Sequence, residues 1–379
     1  MTLLSDRLMY STDASEYKGI PLAVARPKSS EDIKKLILFS SEHEASLIPR
    51  GAGTSLAGQV VGEGIIVDVG KYMNRIIEIN TDEKWVRVEP GVVLDELNLE
   101  VAKYVMFFGP ETSTSSRCMI GGMAGNNACG SRSLIYGSTR DHVLSMKVVL
   151  ADGSDMKFGF VSGEKFNKKC EGDSFEAGLY RNIRDILNDK KNQKRIKSEY
   201  PRSDIKRRNT GYAIDILLST IPFGGDQQFN FSKLLTGSEG TLAFTTELKL
   251  NLVPLPPKEN VLICAHFDTL RESVEANLVA LKHNPRAVEL IDKFILDCTK
   301  DNIEQRKNRF FLKGDPGAIL IIEFGADSGS ELTKKVSELE SDLKSRGLGF
   351  HYPAIYGEDI EKVWSLRKAG LGVIYNIPG

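Results

Sequence analysis

The stretch that decides the fold is the decapeptide PRGAGTSLAG, residues Pro49–Gly58, which contains three glycines, two hydroxyl side chains and one arginine. Glycine lets the backbone approach a ligand closely, so a loop of this composition is typical of phosphate binding. The short apolar stretch 46–49 leads into it, and residues 64–69 beyond it have the apolar composition of a strand. The loop is therefore predicted to connect two strands.

Two familiar nucleotide-binding motifs do not fit this loop. A Rossmann fingerprint needs a third glycine where this chain has Leu56, followed by a helix. A P-loop needs Lys and then Ser or Thr after its last glycine, and Gln59 follows Gly58 here. A concave nest of backbone N–H groups with hydroxyls and a guanidinium would suit a diphosphate. The decapeptide alone leaves that interpretation and an ordinary turn between strands both open.

Composition narrows the class of protein. The chain has 379 residues and a formal net charge of -1, which suggests two domains and excludes nucleic acid or membrane as a partner of the whole surface. The basic run 181–208 lacks interleaved aromatics apart from Tyr200 and is interpreted as a solvated helix face followed by a loop. The five cysteines are widely spaced without a C-x-x-C pair, and no segment has the length of a signal peptide core or a membrane span, so we predict a cytoplasmic protein.

Two further segments have the same small-residue character. Residues 109–130 read GPETSTSSRCMIGGMAGNNACG, and the low periodicity up to Gly137 predicts a long loop system without secondary structure. Residues 234–244 read LLTGSEGTLAF. In this order and spacing, the three segments resemble the FAD-binding domain of the vanillyl-alcohol-oxidase flavoproteins over residues 18 to about 250. They are most similar to the branch that contains D-lactate dehydrogenases, glycolate oxidase subunits and D-2-hydroxyglutarate dehydrogenases.

The resemblance implies an α+β fold. It predicts a two-lobed FAD-binding domain of the PCMH type at 18–253, after an N-terminal extension at 1–17. A ferredoxin-like antiparallel α/β substrate (cap) domain follows at 258–379, beyond the stiff break Pro254–Pro257. The motif Trp364–Arg367 is similar to part of large bacterial dehydrogenases that join this flavin unit to an iron–sulfur module. We therefore expect the second domain to be incomplete and the chain to be the N-terminal part of a longer protein.

The resemblance also assigns residues to the cofactor, FAD. The residues expected to hold the diphosphate are Arg50, Gly51, Ala52, Gly53, Thr54 and Ser55, with Gly58 in the same loop. Those expected to line the cofactor are Pro110, Thr112, Ser116, Gly121, Gly122, Asn126 and Gly130. Glu239 and Gly240 are expected to contact the flavin. Relatives often have glycine at the position of Ala52 and at that of Cys129, which places Cys129 near the flavin by inference.

The expected reaction is oxidation of a small D-2-hydroxy acid to the 2-oxo acid by hydride transfer to flavin N5. Such a reaction needs a cation for the substrate carboxylate, and Arg367 matches the substrate-binding arginine of the Trp-x-Leu-Arg motif in hydroxyglutarate dehydrogenases. In that branch the general base and the metal ligands lie in a His-rich segment downstream, so no metal site is predicted here. His266 is expected in the core, and His142 in a structural role. Electrons would pass to a quinone, an iron–sulfur centre or a carrier protein.

Two other functions use the same features. One is another enzyme on the same scaffold, such as an oxidase of sugars, lactones or aromatic alcohols, or an enolpyruvyl reductase. The other is a non-catalytic flavin-binding module whose partner or missing C-terminal half performs the chemistry. The fold does not separate these from a hydroxy-acid dehydrogenase. The Arg367 motif favours a carboxylate substrate.

Overall fold

The computed structural model describes residues 1–202, 204–205, 207–209, 211–300 and 302–374, which divide into two compact units. The first unit contains Met1–Gly130 and Gly137–Leu255. The second contains Ser131–Tyr136 and the chain from Pro256 onward. The first unit combines helices with both parallel and antiparallel sheets, and the second combines helices with an antiparallel sheet, which confirms the predicted α+β class.

The first unit begins with a small parallel sheet. Strand β3 (Ile65–Asp68) lies between β1 (Ala23–Ala25) and β2 (Leu47–Arg50). Helices α1 (Leu4–Met9) and α2 (Ser30–Glu42) accompany this sheet. Ser29 caps α2, because its hydroxyl accepts the Asp32 N–H. The Asp32 carboxylate accepts the N–H of Lys28 rather than that of Ser29, so the capping box is displaced by one residue.

A larger antiparallel sheet forms the second layer of the first unit. Its strand order is β4–β5–β9–β7–β8, and two isolated short strands, β6 and β10, pair beside it. Strands β5, β7 and β9 bury at least half of their residues, whereas β4 buries none and β8 buries only Phe158. The bounds are β4 Ile76–Asn80, β5 Trp85–Val88, β6 Met106–Phe107, β7 Val143–Val149, β8 Asp155–Phe158, β9 Phe244–Asn251 and β10 Val253–Pro254.

The expectation that residues 109–137 lack secondary structure is wrong. Helix α4 (Ile120–Asn126) buries Ile120, Met123 and Ala124, which lie on one face at helical spacing. Its glycines have low helix propensity, and this packing outweighs the propensity. The other helices of this part of the chain are α3 Leu94–Ala102, α5 Ser133–Tyr136, α6 Thr139–His142, α7 Gly163–Lys169, α8 Phe175–Asn188, α9 Lys190–Glu199, α10 Ile214–Leu218 and α11 Ser232–Leu235.

The second unit contains the predicted antiparallel sheet, and its helices lie on both faces of that sheet. The strand order is β12–β13–β11–β14, and β14 has only two residues. Leu320, Ile322 and Phe324 of β13 pack on α12 and α15, while the alternate residues Ile319 and Ile321 pack on the face that carries α13 and α16. The bounds are β11 Glu259–Phe267, β12 Ala287–Asp292, β13 Ala318–Ala326, β14 Ala354–Ile355, α12 Leu270–Ala280, α13 Lys293–Cys298, α14 Ile303–Arg306, α15 Gly329–Ser345 and α16 Asp359–Ile374.

The segment Ser131–Tyr136 packs with the second unit although its neighbours in sequence belong to the first. Arg132 Nε lies 3.0 and 3.1 Å from the two carboxylate oxygens of Glu323, a fully buried residue of β13. The hydroxyl of Tyr136 accepts a 3.0 Å hydrogen bond from Arg286. A buried carboxylate needs such a partner, which explains why this short segment belongs to the second unit.

Candidate cofactor site

A cavity of about 530 Å³ in the first unit is lined by all three small-residue segments. It brings together most of the cofactor residues assigned from the sequence. Those that line the cavity are Arg50, Gly51, Ala52, Gly53, Thr54, Ser55, Thr112, Gly121, Gly122, Asn126, Glu239 and Gly240. Cys129 also lines it, together with Gln59, Pro90, Met119 and Asn209, which the sequence analysis did not assign.

The loop after β2 presents unusually many free donors. No backbone N–H from Gly51 through Val60 donates a hydrogen bond to any residue that the structure describes. Gly53 has φ +66, which turns the loop through the left-handed region where glycine is unstrained. Backbone N–H groups without a partner are rare unless solvent or a ligand accepts from them. This loop can therefore provide the donors of an anion nest.

Arg50 holds this loop in place from within. Its guanidinium donates to the carbonyl oxygens of Tyr10 and Thr12, at 3.2 and 2.8 Å, and lies 5.3 Å from the Tyr10 ring centroid. A longer bond of 3.5 Å reaches the carbonyl of Val60 at the far end of the loop. Burial lowers the pKa of Arg50, but its ordinary value is so high that the side chain remains a cation. It adds a positive charge to the cavity wall while tying the loop to residues 10–12.

The second segment approaches the loop through α4. Gly121 packs against Pro90, and a Cβ at this glycine would lie 2.5 Å from Pro90 Cβ. The adjacent Gly122 is exposed on the cavity wall, and a Cβ there would meet nothing within 4 Å. Cys118 is buried beside Thr112, 3.2 Å from its hydroxyl, and burial raises the pKa of its thiol. A protonated buried thiol of this kind is a packing group rather than a nucleophile.

The third segment is bonded directly to the end of α4. The N–H groups of Gly237 and Glu239 donate to the carbonyl oxygens of Ala124 and Gly125, at 2.8 and 2.9 Å. Glu239 adopts φ +53, a left-handed conformation that is uncommon for a residue with a side chain. Gly240 lies against Pro49, where an added Cβ would come within 2.8 Å of Pro49 Cγ. These contacts bring the third segment beside the first.

Arg140 positions the third segment, although no motif in the sequence assigns it to the site. This arginine is 5% exposed, and its guanidinium donates to the carbonyl oxygens of Lys233 and Thr236. Its own N–H donates to the side-chain oxygen of Asn127, the residue with φ +48 that ends α4. Arg140 belongs to a motif beside Asp141 and His142, and its bonds go to backbone carbonyls. No residue pattern in the sequence reports such bonds.

Four assigned residues lie outside the lining of the cavity. Gly58 has φ +76 and contacts the Tyr17 ring, and Gly130 packs so tightly on Glu111 that a Cβ would lie 1.9 Å from its carbonyl oxygen. Pro110 is buried, and Ser116 is exposed. Packing alone accounts for both glycines.

Arg367 lies in α16 of the second unit, where its guanidinium forms an ion pair with Glu289 of β12. Its Nε and Nη2 lie 3.0 and 2.6 Å from the same carboxylate oxygen of Glu289. The Arg367 side chain is 37% exposed, whereas that of Glu289 is 13% exposed. These contacts use Nε and Nη2, so the N–H groups of Nη1 remain available as donors among the described residues.

The histidines have the structural environments expected of them. His142 is buried against Phe108, with ring centroids 5.6 Å apart, and does not line the cavity. His266 is fully buried in β11. Within the described residues, no three His, Cys, Asp or Glu side chains are grouped closely enough to hold a metal ion. No helix in the described part of the chain is both long and apolar enough to cross a membrane.

Comparison with known proteins identifies the two domain types. Residues 21–159 match the FAD binding domain family, and residues 256–377 match the C-terminal domain family of FAD linked oxidases. The chain is 32% identical over its full length to a D-2-hydroxyglutarate dehydrogenase of Pantoea ananatis, and spans 37% of that protein. It is 28% identical to a glycolate oxidase subunit of Bacillus subtilis, with 78% of this chain and 51% of the relative covered.

A solved structure shares the fold. An alkyldihydroxyacetonephosphate synthase superposes with a TM-score of 0.60 over 93% of this chain and 55% of its own, at 16% identity. The chain therefore belongs to the FAD-binding flavoproteins of the PCMH type, with FAD as its cofactor.

Proposed function

We propose that this protein takes part in the FAD-dependent oxidation of a D-2-hydroxy acid of the D-lactate, glycolate or D-2-hydroxyglutarate class to the 2-oxo acid. The observation that supports cofactor binding most directly is the run of unpartnered N–H groups after β2 on the wall of a cavity. The relatives named above support the hydroxy-acid chemistry. The chain spans only 37% of the length of the first of them, so the activity of the whole protein is part of the proposal.

The cavity wall has the donors and the space that FAD requires. The N–H groups and hydroxyls of Gly51–Ser55 would hold the diphosphate, and the Arg50 cation would offset its charge. Gly122 leaves open space at the cavity, and a side chain there would fill it. The lining residues Thr112, Asn126, Glu239 and Gly240 would contact the rest of the cofactor. We propose that Pro110, Ser116, Gly58 and Gly130 contribute through the shape of their loops.

FAD, when bound, supplies the hydride acceptor for this oxidation. Arg367 would bind the carboxylate of the hydroxy acid and so orient its Cα–H bond. The Arg367–Glu289 ion pair holds the guanidinium in a defined position before the substrate arrives. We further propose an N-terminal extension at 1–17, an FAD-binding domain at 18–253 and a substrate domain at 258–379. The electrons would pass to a quinone, an iron–sulfur centre or a carrier protein. The protein would be cytoplasmic. The five free cysteines support that location.

The proposal is tested with the purified chain and FAD. We expect the chain to retain FAD on gel filtration. Anaerobic bleaching of the flavin absorbance by one D-2-hydroxy acid would show that this chain performs hydride transfer without the downstream His-rich segment. Retention of FAD without bleaching by any acid, sugar or alcohol would favour the flavin-binding module. Failure to retain FAD after incubation in excess cofactor would contradict the role of the cavity.

Alanine variants of two neighbouring glycines distinguish a packing role from a role in cofactor binding. Gly121→Ala is expected to destabilise the first unit by about 2 kcal/mol, because its Cβ would overlap Pro90. Gly122→Ala has no such overlap and replaces a helical glycine, so we expect unchanged or slightly higher stability without cofactor. Its methyl group would enter the cavity and weaken FAD binding about tenfold or more. Thermal melts without FAD and FAD titrations measure both effects, and equal FAD affinity of Gly122→Ala and wild type would place the cofactor elsewhere.

Arg367→Lys tests the carboxylate contact. A lysine keeps the charge but loses the planar, bidentate geometry, so the concentration of hydroxy acid for half-maximal bleaching should rise about tenfold. The affinity for FAD should not change. The control is Arg271→Lys, an exposed arginine on α12 whose side chain pairs only with Glu275 among the described residues. An unchanged acid dependence of Arg367→Lys would remove this residue from the substrate site.

A further inference from the structure

We propose that Gln59 is a cofactor-contacting residue, and that its side-chain carbonyl oxygen accepts a hydrogen bond from an N–H or O–H donor of bound FAD. The inference follows from the FAD assignment and adds a residue that the motifs do not contain. Gln59 comes directly after the decapeptide and lines the cavity.

Two acceptors determine the orientation of the amide. Gln59 Nε2 lies 3.3 Å from a carboxylate oxygen of Glu239, and the side-chain oxygen of Asn126 is a longer 3.5 Å away. Exchanging the amide oxygen and nitrogen would turn the oxygen toward both of these acceptors, which is unfavourable. The nitrogen therefore faces Glu239 and Asn126, and the oxygen Oε1 points in the other direction.

Oε1 is buried and has no hydrogen-bond partner among the residues that the structure describes. A buried acceptor without a donor costs about 1–3 kcal/mol, and in native proteins such groups usually meet water or a ligand. Gln59 is on the wall of the FAD cavity. FAD offers neutral donors at the imide N–H of its ring system, at the ribityl and ribose hydroxyls, and at the adenine amino group. A hydrogen bond from any of these would satisfy Oε1.

The same amide connects the three segments of the site. Gln59 belongs to the first segment, Asn126 to the second and Glu239 to the third. A ligand donor at Oε1 polarises the amide and strengthens the hydrogen bond from Nε2 to Glu239. FAD binding would thereby draw the third segment toward the first, and Gln59 is the side chain through which this coupling passes.

Gln59→Met is the first test, because methionine has similar length and no acceptor oxygen. We expect the FAD dissociation constant, measured by calorimetry, to rise about tenfold, as for loss of one neutral hydrogen bond. The melting temperature without FAD should change little, since the variant removes two long Nε2 hydrogen bonds, of 3.3 and 3.5 Å, together with an acceptor that is unsatisfied until FAD binds. A purely structural role in joining the loops would instead lower the melting temperature without FAD.

A double variant retains the acceptor by different chemistry. Gln59→Glu combined with Glu239→Gln exchanges carboxylate and amide, so position 59 still presents an oxygen and position 239 now donates. With Glu239→Gln as the reference, FAD affinity should be kept in Gln59→Glu/Glu239→Gln and fall about tenfold in Gln59→Met/Glu239→Gln. Equal affinity of these two double variants would overturn the acceptor role.

Two fragments of the cofactor locate the donor. Riboflavin carries the ring system and ribityl chain, and ADP-ribose carries the adenine, ribose and diphosphate. If the donor belongs to the flavin half, Gln59→Met weakens binding of riboflavin but not of ADP-ribose; if it belongs to the adenosine half, the reverse holds. Equal FAD affinity of wild type and Gln59→Met would mean that water satisfies Oε1, and would overturn this inference alone. A wild-type chain that does not bind FAD would overturn the cofactor assignment as well.

Discussion

Replacing Arg140 with methionine is expected to lower the free energy of unfolding of the first unit by about 3–5 kcal/mol and to weaken FAD binding more than 100-fold. The guanidinium donates to the Lys233 carbonyl at 2.9 Å and to the Thr236 carbonyl at 2.6 and 3.1 Å, and the side chain is 5% exposed. Methionine would leave both carbonyl groups without these donors in a place that water hardly reaches. Each unpaired buried acceptor costs about 1–3 kcal/mol.

We expect weaker FAD binding because the Lys233 and Thr236 carbonyls fix the backbone that leads to Gly237 and Glu239. Gly237 lies directly against the Arg140 guanidinium, and the backbone of Gly237 and Glu239 is bonded to the end of α4. Without Arg140, residues 236–240 lose the contact that sets their path, and the cavity loses one of its three walls. FAD titration and urea unfolding measure the two effects separately.

Arg181→Met is the matched control for Arg140→Met. Arg181 of α8 also donates to two backbone carbonyls, those of Cys170 and Gly172, but it is only partly buried and does not line the cavity. We expect this variant to lose some stability and to bind FAD like the wild type. Equal FAD affinity of Arg140→Met and Arg181→Met would show that the third segment keeps its path without Arg140.

Local patterns in the sequence predict much of the fold. The apolar stretches 46–49 and 64–69, which form β2 and β3, and the proline-rich break near Pro256 each reflect a physical constraint that acts over a few residues. Where the constraint is long-range, prediction fails. Helix α4 forms because Gly121 can lie on Pro90 about thirty residues earlier, and glycine content alone indicates a loop.

The candidate site likewise contains residues that can be recognised from the sequence and residues that cannot. Glycines and hydroxyl residues mark the three segments, so most of the cavity lining is recognisable from the sequence. Gly130 carries the same signal for a different reason, which is its contact with the Glu111 carbonyl. Arg140 acts through hydrogen bonds to two backbone carbonyls and Gln59 through one amide oxygen without a partner among the described residues, and such features leave no periodicity or spacing to detect. Only the hydrogen bonds of the folded chain identify these two residues.

The second unit is expected to lose up to about 3 kcal/mol of stability between pH 6.5 and pH 4 because of His266. This residue is fully buried, its Nδ1 lies 2.7 Å from the Cys264 carbonyl oxygen, and its Nε2 accepts the Lys313 N–H at 3.3 Å. These contacts assign the neutral ring with its proton on Nδ1. A second proton would remove the acceptor and place two N–H groups against each other.

The sign of the effect follows from burial, which lowers the pKa of His266 to about 4 from an ordinary value of 6.5. Between these values the unfolded chain binds the proton and the folded chain does not, so stability falls as the pH falls through this window. Above pH 6.5 both states are neutral at this residue, and the contribution is constant.

His266→Asn isolates this contribution, because the Asn amide can still donate to Cys264 but does not titrate. The variant should be less stable than wild type at pH 7, where it loses the ring packing with Phe311, His351 and Phe350, yet it should lose less stability on acidification.

Phe311→Leu is the control, since it removes a neighbouring ring without removing a titratable group, and its pH profile should parallel that of wild type. Hydrogen exchange of the amides in β11 from pH 4 to 7 reports on the second unit specifically. Parallel pH profiles for wild type and His266→Asn would mean that the buried ring takes up its proton without opposing the fold.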